Sequence, residues 1–138
     1  MAGEVSAADA VPVAEFRAAL RGFMRTSERN SRAAGLTPQR YLLLLMIKGA
    51  PDGSEQSTVT ELAERLQLAQ STVTELVSRA EEIGLVERSR SSDDGRIAIL
   101  RLTDEGEQRL EATFTSNERE RQALADAFRH LQSIGRPT

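Results

Sequence analysis

Between Gln70 and Glu82 the sequence collects side chains that can hydrogen-bond and carry charge. Wound at roughly 100° per residue, Ser71, Thr74, Glu75, Ser78 and Glu82 fall on one face, with Gln70 and Arg79 at its margins. Val73, Leu76, Val77, Ala80 and Ile83 fall on the other. Small hydroxyl groups near the start of a helix can approach phosphate oxygens and base edges closely. A few residues later Arg88, Arg90, Arg96 and Arg101 surround the turn sequence Asp93-Asp94-Gly95. The chemistry within reach of these types is recognition of a polyanion by hydrogen bonds and charge.

Bond-making chemistry finds little support. Asp93-Asp94 is a carboxylate pair, yet in an Asp-Gly turn it reads as turn chemistry, with Asp94 orienting Arg96. The chain has no cysteine, which removes disulfides, thiol redox sensing and thiolate metal sites. A single histidine, His130, reads as a surface or interface residue and leaves no multi-histidine metal site. No glycine-rich phosphate loop is present. The sequence therefore predicts no enzyme, no cofactor and no metal.

The elements that must position the candidate residues follow from periodicity. Thr58-Val59-Thr60-Glu61 has the capping-box pattern, and Leu62, Ala63 and Leu66 continue as one helical face. Leu68 packs in the turn, and the helix from Gln70 comes next. Gly84 suits the position that ends it. Leu85 to Arg88 and Ile97 to Leu102 read as short strands, and the Asp-Gly between them signals a hairpin. Helix, tight turn, helix and charged hairpin make a winged helix-turn-helix, whose second helix enters the DNA major groove. The expected DNA-contacting residues are Gln70, Ser71, Thr72, Thr74, Glu75, Ser78, Arg79, Arg88, Arg90, Asp94 and Arg96. Arg96 is expected in the minor groove, where narrow A·T segments attract arginine.

The flanks are helical. Residues 1–11 are small and polar and are expected to be flexible. Val13, Phe16, Leu20, Phe23 and Met24 form an apolar stripe, with Arg17, Arg21, Arg25 and Arg29 outside it. That arginine row reads as a solvated face or a site for an acidic partner. Gly35 breaks the chain, Thr37 before Pro38 is an N-cap, and Tyr41 to Ile47 is apolar all round, as for a central buried helix. Tyr41 reads as a core aromatic. Gly49 to Ser54 is a loop. A last helix starts at Thr103 with Leu110, Phe114, Leu124, Phe128 and Leu131 as its apolar positions. Weak propensity over Thr113 to Asn117 predicts a bend.

The 138 residues suit one domain, with 39% hydrophobic and 28% charged residues as in a soluble globular protein. The net charge of −3 is unevenly spread. Residues 87–101 hold four arginines against three acids, whereas 104–121 hold six acids against three arginines. Phosphate binding answers to local potential, and modest non-specific affinity is expected. No apolar run is long enough to span a membrane and no secretory signal follows Met1, so a cytoplasmic protein is expected.

Several ordered segments resemble the MarR family of bacterial transcription regulators. They are residues 59–66, 70–77 and 84–88, together with Asp94-Gly95-Arg96, which matches the family's Asp-x-Arg wing motif. Leu36 to Tyr41 is similar to the opening of the family's second helix, and Leu102 to Gly106 to the start of its long dimerisation helix. The resemblance covers roughly residues 13–125. Gln67 and Ala69 stand where the family carries a glycine and a hydroxyl cap, Ser91 stands at the first acidic wing position, and Glu75 replaces a basic residue common there. A separate last helix is not evident before the chain ends.

The resemblance implies an α+β, mostly α fold: one domain over 12–138, with a winged helix-turn-helix lobe over 37–102 and dimerisation helices over 12–34 and 103–133. It implies a homodimer on a pseudo-palindromic operator, most simply as a repressor, and in many members relief by a small aromatic or phenolic effector. Phe16, Leu20, Phe23, Leu110, Phe114, Leu124 and Phe128 are the expected dimer-interface residues. The alternative is a winged helix that binds proteins without reading DNA, motivated by Glu75, Glu81 and Glu82.

Overall fold

The structure, a computed structural model, describes residues 3–91 and 93–134. Its elements run α1 (Ala7–Ala33), α2 (Pro38–Lys48), α3 (Val59–Leu66), α4 (Gln70–Glu82), β1 (Val86–Arg90), β2 (Ala98–Leu102), α5 (Asp104–Ser116) and α6 (Glu118–Leu131). By its contacts the chain divides into two compact units where the sequence reads one domain. One comprises residues 31–113, and the other the chain up to Asn30 together with the chain from Phe114 on.

The 31–113 unit is a winged helix. Its core joins Tyr41, Leu43, Leu44 and Ile47 of α2, Leu62 and Ala63 of α3, and Val73, Val77 and Ala80 of α4. Leu85, Val86, Leu100 and Leu110 complete it. Helix α2 is not buried all round as its sequence suggests, because Leu42 is exposed and Leu45 and Met46 are half-buried. The 11-residue helix packs mainly against α3, α4 and β2, and Leu42 lies away from the core.

Local sequence sets the helix ends. Thr37 Oγ1 accepts from the Arg40 N–H at 3.2 Å, with Pro38 in the first turn. The Thr58–Glu61 capping box closes in both directions at 3.2 Å. Helix α4 ends in a Schellman motif: the Leu85 N–H reaches the Ala80 carbonyl and the Gly84 N–H that of Glu81, with Gly84 left-handed at φ +78°. Ile83 is thereby the capping residue and is exposed instead of joining the apolar face. Strands β1 and β2 pair antiparallel from Val86↔Leu102 to Arg90↔Ala98. Ser57 bridges Leu100 on the other edge of β2, a short third rung that periodicity did not reveal.

The other unit holds most of α1, α6 and the end of α5. Helix α1 begins at Ala7, inside the stretch expected to be flexible, because Ser6 Oγ accepts from the Asp9 N–H at 3.1 Å and Asp9 lies in the positive first turn. The single bent last helix expected after Thr103 is two helices, and α6 is the separate helix the sequence did not reveal. The break lies at Asn117, fully buried. Its Nδ2 donates to Ser27 Oγ at 3.1 Å and its Oδ1 accepts from Asn30 Nδ2 at 2.8 Å. Those tertiary bonds hold the chain in a turn where propensity alone would only bend it.

Candidate nucleic-acid interface

The interface is built on α4. Val73, Val77 and Ala80 are buried, and Gln70, Ser71, Thr72, Thr74, Glu75, Ser78 and Arg79 are all exposed. The turn that delivers α4 is Gln67-Leu68-Ala69. Gln67 is left-handed at φ +56°, ψ +46°, and the Leu68 N–H reaches back to the Ala63 carbonyl at 3.1 Å. Glutamine therefore occupies a conformation that usually selects glycine. Gln70 Nε2 donates to Thr60 Oγ1 at 3.4 Å, linking the starts of the two helices.

The start of α4 has no side-chain cap. Ala69 is extended at φ −63°, ψ +146°, with no side-chain acceptor to offer. The first N–H bonded within the helix is that of Val73, to the Ala69 carbonyl. The N–H groups of Gln70, Ser71 and Thr72 precede the first intrahelical bond, on residues that are exposed. Together with the positive end of the helix dipole they form a place for an anion.

The wing is internally braced. Ser91 Oγ accepts from the Asp93 and Asp94 N–H groups at 3.2 and 3.4 Å. Asp94 Oδ1 accepts from the Arg96 N–H at 3.0 Å and lies 3.8 Å from the Arg96 guanidinium. Asp94 thus shapes the turn more than it holds the side chain, and the Arg96 side chain is 96% exposed. Arg90 donates to the Gly95 carbonyl at 2.8 Å, bracing the loop from its base. Arg88 donates to Glu81 at 2.7 and 3.1 Å, so its charge is partly matched by α4 itself. Of the wing arginines expected to contact DNA, Arg96 is held only by a long 3.8 Å ion pair to Asp94 and projects into solvent, while Arg88 and Arg90 make closer bonds.

Sequence reasoning missed the neighbour of α4. Thr37, Pro38, Gln39 and Arg40, at the start of α2, line an open cleft with Thr72, Glu75, Leu76 and Arg79. The Thr37-Pro38 cap was legible, but its place beside α4 depends on tertiary packing.

Of the expected dimer residues, Leu110 lies in the winged-helix core, 6% exposed, because the first turns of α5 pack on that lobe. It is unavailable to a partner, which corrects its assignment to the interface. The others lie in the second unit. The Phe16 and Phe128 rings are 6.1 Å apart at 56°, and an open groove runs past them and Leu124. Phe114 and Phe128 are exposed, and Leu20 and Phe23 are half-buried. The Arg121 guanidinium sits 3.8 Å from the Phe114 ring centre. Among the described residues no helix is long and apolar enough to cross a membrane.

A family model described as MarR family matches residues 34–97. The chain is 31% identical over 85 residues to YdgJ, an uncharacterised HTH-type transcriptional regulator of Bacillus subtilis (strain 168), covering 62% of this chain and 49% of that one. It is 36% identical over 77 residues to the HTH-type transcriptional repressor MdtR of the same organism, covering 56% and 47%. The chain spans about half the length of the curated relatives it matches. A mutant MarR from E. coli complexed with operator DNA shares the fold at TM-score 0.68 and 21% identity, over 86% of each chain. The YusO protein of Bacillus subtilis does so at TM-score 0.65 and 24% identity, over 86% of this chain and 90% of that one. The element order from α2 to β2, the motif-bearing turns and wing, and the match across 34–97 make this chain similar to the MarR family over its winged-helix lobe.

Proposed function

We propose that the protein is a transcription regulator that binds double-stranded DNA in a sequence-specific way, with α4 in the major groove and Arg96 reaching the minor groove. The observation that carries this reading is the exposed polar face of α4 with an uncapped, anion-accepting start, next to a wing that projects a solvent-exposed arginine, Arg96. Phosphate contacts at the helix start would set the register, and side chains on the face would read bases. A protein-interaction role for the same face is less favoured. The relatives carry names of regulators and repressors, and a neighbour of the same fold was solved on operator DNA.

In this reading the protein acts in the cytoplasm as a homodimer on a pseudo-palindromic site. The two recognition helices would stand about one helical turn apart, a geometry that a monomer lacks. The exposed aromatic face of the second unit supports dimerisation. Repression, and its relief by a small aromatic or phenolic effector, belong to the reading through family resemblance alone.

The test is selection of bound fragments from a random double-stranded DNA library by the purified protein, followed by titration of the selected site at two salt concentrations. A repeated palindrome, with affinity falling steeply as salt rises, is expected. Retention of DNA without sequence preference, or no retention, would overturn the reading.

A further inference from the structure

Glu75 stands almost opposite the buried Val73, Val77 and Ala80 on α4, at the centre of the exposed face. A carboxylate there is costly near DNA, since phosphates repel it, unless it meets a donor. In the structure Arg79, one turn on, donates to Glu75 Oε1 at 3.3 Å. Both side chains remain well exposed, so the pair is available as a unit, and Arg79 offsets the repulsion.

An ionised carboxylate only accepts hydrogen bonds. In the major groove only the cytosine N4 and adenine N6 amines donate. Adenine places its N7 lone pair beside N6, where it repels a carboxylate, whereas cytosine places a C–H beside N4. Arg79, two-pronged and cationic, matches the O6 and N7 acceptors of guanine. The two side chains leave α4 one turn apart and converge at their tips, a spread suited to adjacent base pairs about 3.4 Å apart.

We infer that Glu75 and Arg79 together read two neighbouring base pairs in each half-site, Glu75 accepting from a cytosine amine and Arg79 donating to a guanine. This rests on the DNA-binding reading above and adds to it the identity of two bases. The acid is a specificity device: it accepts a cytosine amine and rejects thymine and guanine, whose groove edges carry acceptors.

The experiment repeats the library selection with the intact protein and with Glu75→Gln. Glutamine keeps the size and exposure of the residue but can both accept from N6 and donate to N7 of adenine. The natural protein should enrich a cytosine at one position per half-site, with roughly five- to one-hundred-fold discrimination against other bases there. In Glu75→Gln that position should shift to adenine while the rest of the motif is kept. A shared motif with an unchanged preference at every position would overturn the Glu75 assignment and leave DNA binding intact. Enrichment of no sequence by either protein would overturn DNA reading itself, and this inference with it.

Discussion

The Cα of Gly106 lies against the carbonyl of Leu85: a Cβ built at Gly106 would stand 2.1 Å from that oxygen. The oxygen is held in place, since it also accepts from the Thr103 N–H at 3.0 Å. Thr103 Oγ1 meanwhile donates to the Gly84 carbonyl and accepts from the Gly106 N–H at 3.1 Å. The end of α4 and the start of α5 are thus joined through backbone, at a spacing only glycine permits. Gly106→Ala should lower stability by about 1–3 kcal/mol, despite alanine's advantage of about 1 kcal/mol within a helix. Urea unfolding of the two proteins measures the difference, and unchanged stability would refute the close-contact argument.

The turn before α4 is built against stability at two positions. Gln67 adopts a left-handed conformation, so Gln67→Gly should stabilise by about 1 kcal/mol and leave DNA affinity unchanged. Ala69 already has the extended backbone of an N-cap, so Ala69→Asp should stabilise by about 0.5–2 kcal/mol. The same change should weaken DNA binding, because the carboxylate would occupy N–H groups offered to a phosphate and repel it. Denaturation midpoints and operator titrations on the same samples check both signs; tighter binding by Ala69→Asp would remove the helix start from the interface.

Arg96→Ala should weaken operator binding by about 1–3 kcal/mol, the loss of a good groove contact. Asp94→Ala should cost less, since Asp94 acts through the turn backbone it holds. The double substitution should resemble Arg96→Ala alone. Full additivity in the cycle would show that the two act independently.

Phe128 is 48% exposed and faces Phe16 across the second unit. In the proposed homodimer, Phe128→Glu should give monomer or aggregate and abolish tight binding to the full palindrome. Sedimentation at micromolar concentration reads the assembly directly. A monomeric natural protein that binds the palindrome tightly would remove the dimer from the mechanism.

Lys48 Nζ stands 2.8 Å from Glu55 and 2.9 Å from Glu107. The hydrogen bond from Lys48 holds the Glu55 carboxyl below its ordinary 4.5. Hydrogen bonds to Glu55 and then Glu107 hold the Lys48 ammonium above its ordinary 10.5. A lowered carboxyl contributes stability above its unfolded pKa and loses it as pH falls through the folded value. A raised ammonium contributes below its unfolded pKa and loses it only as pH rises through the folded value. The cluster should therefore contribute evenly from about pH 5 to 10 and fade on acidification. Glu55→Gln should lower the urea midpoint at neutral pH, and the difference from the natural protein should close as pH falls below the carboxylate range. The side chains are a third to a half exposed, so high salt should shrink the effect.

Much of this protein was written in local sequence. The Thr58–Glu61 box, the Thr37-Pro38 cap, the Gly84 terminator and the Asp-Gly wing act over a few residues, and the apolar periodicity of α3 and α4 fixes which side is buried. Hence the face carrying Ser71, Thr74, Glu75 and Ser78 is legible in the sequence alone. Tertiary structure decided the rest, because it depends on partners distant in the chain. Leu110 joined the lobe's core because α5 starts against Leu85. Asn117 split a helix because Ser27 and Asn30, some ninety residues away, bond its side chain. Arg88 and Arg90 became anchors because Glu81 and the Gly95 carbonyl lie within reach. The start of α2 came to line a cleft with α4. Periodicity records which way a side chain faces; which group it meets there is set by packing of elements that are not neighbours in sequence.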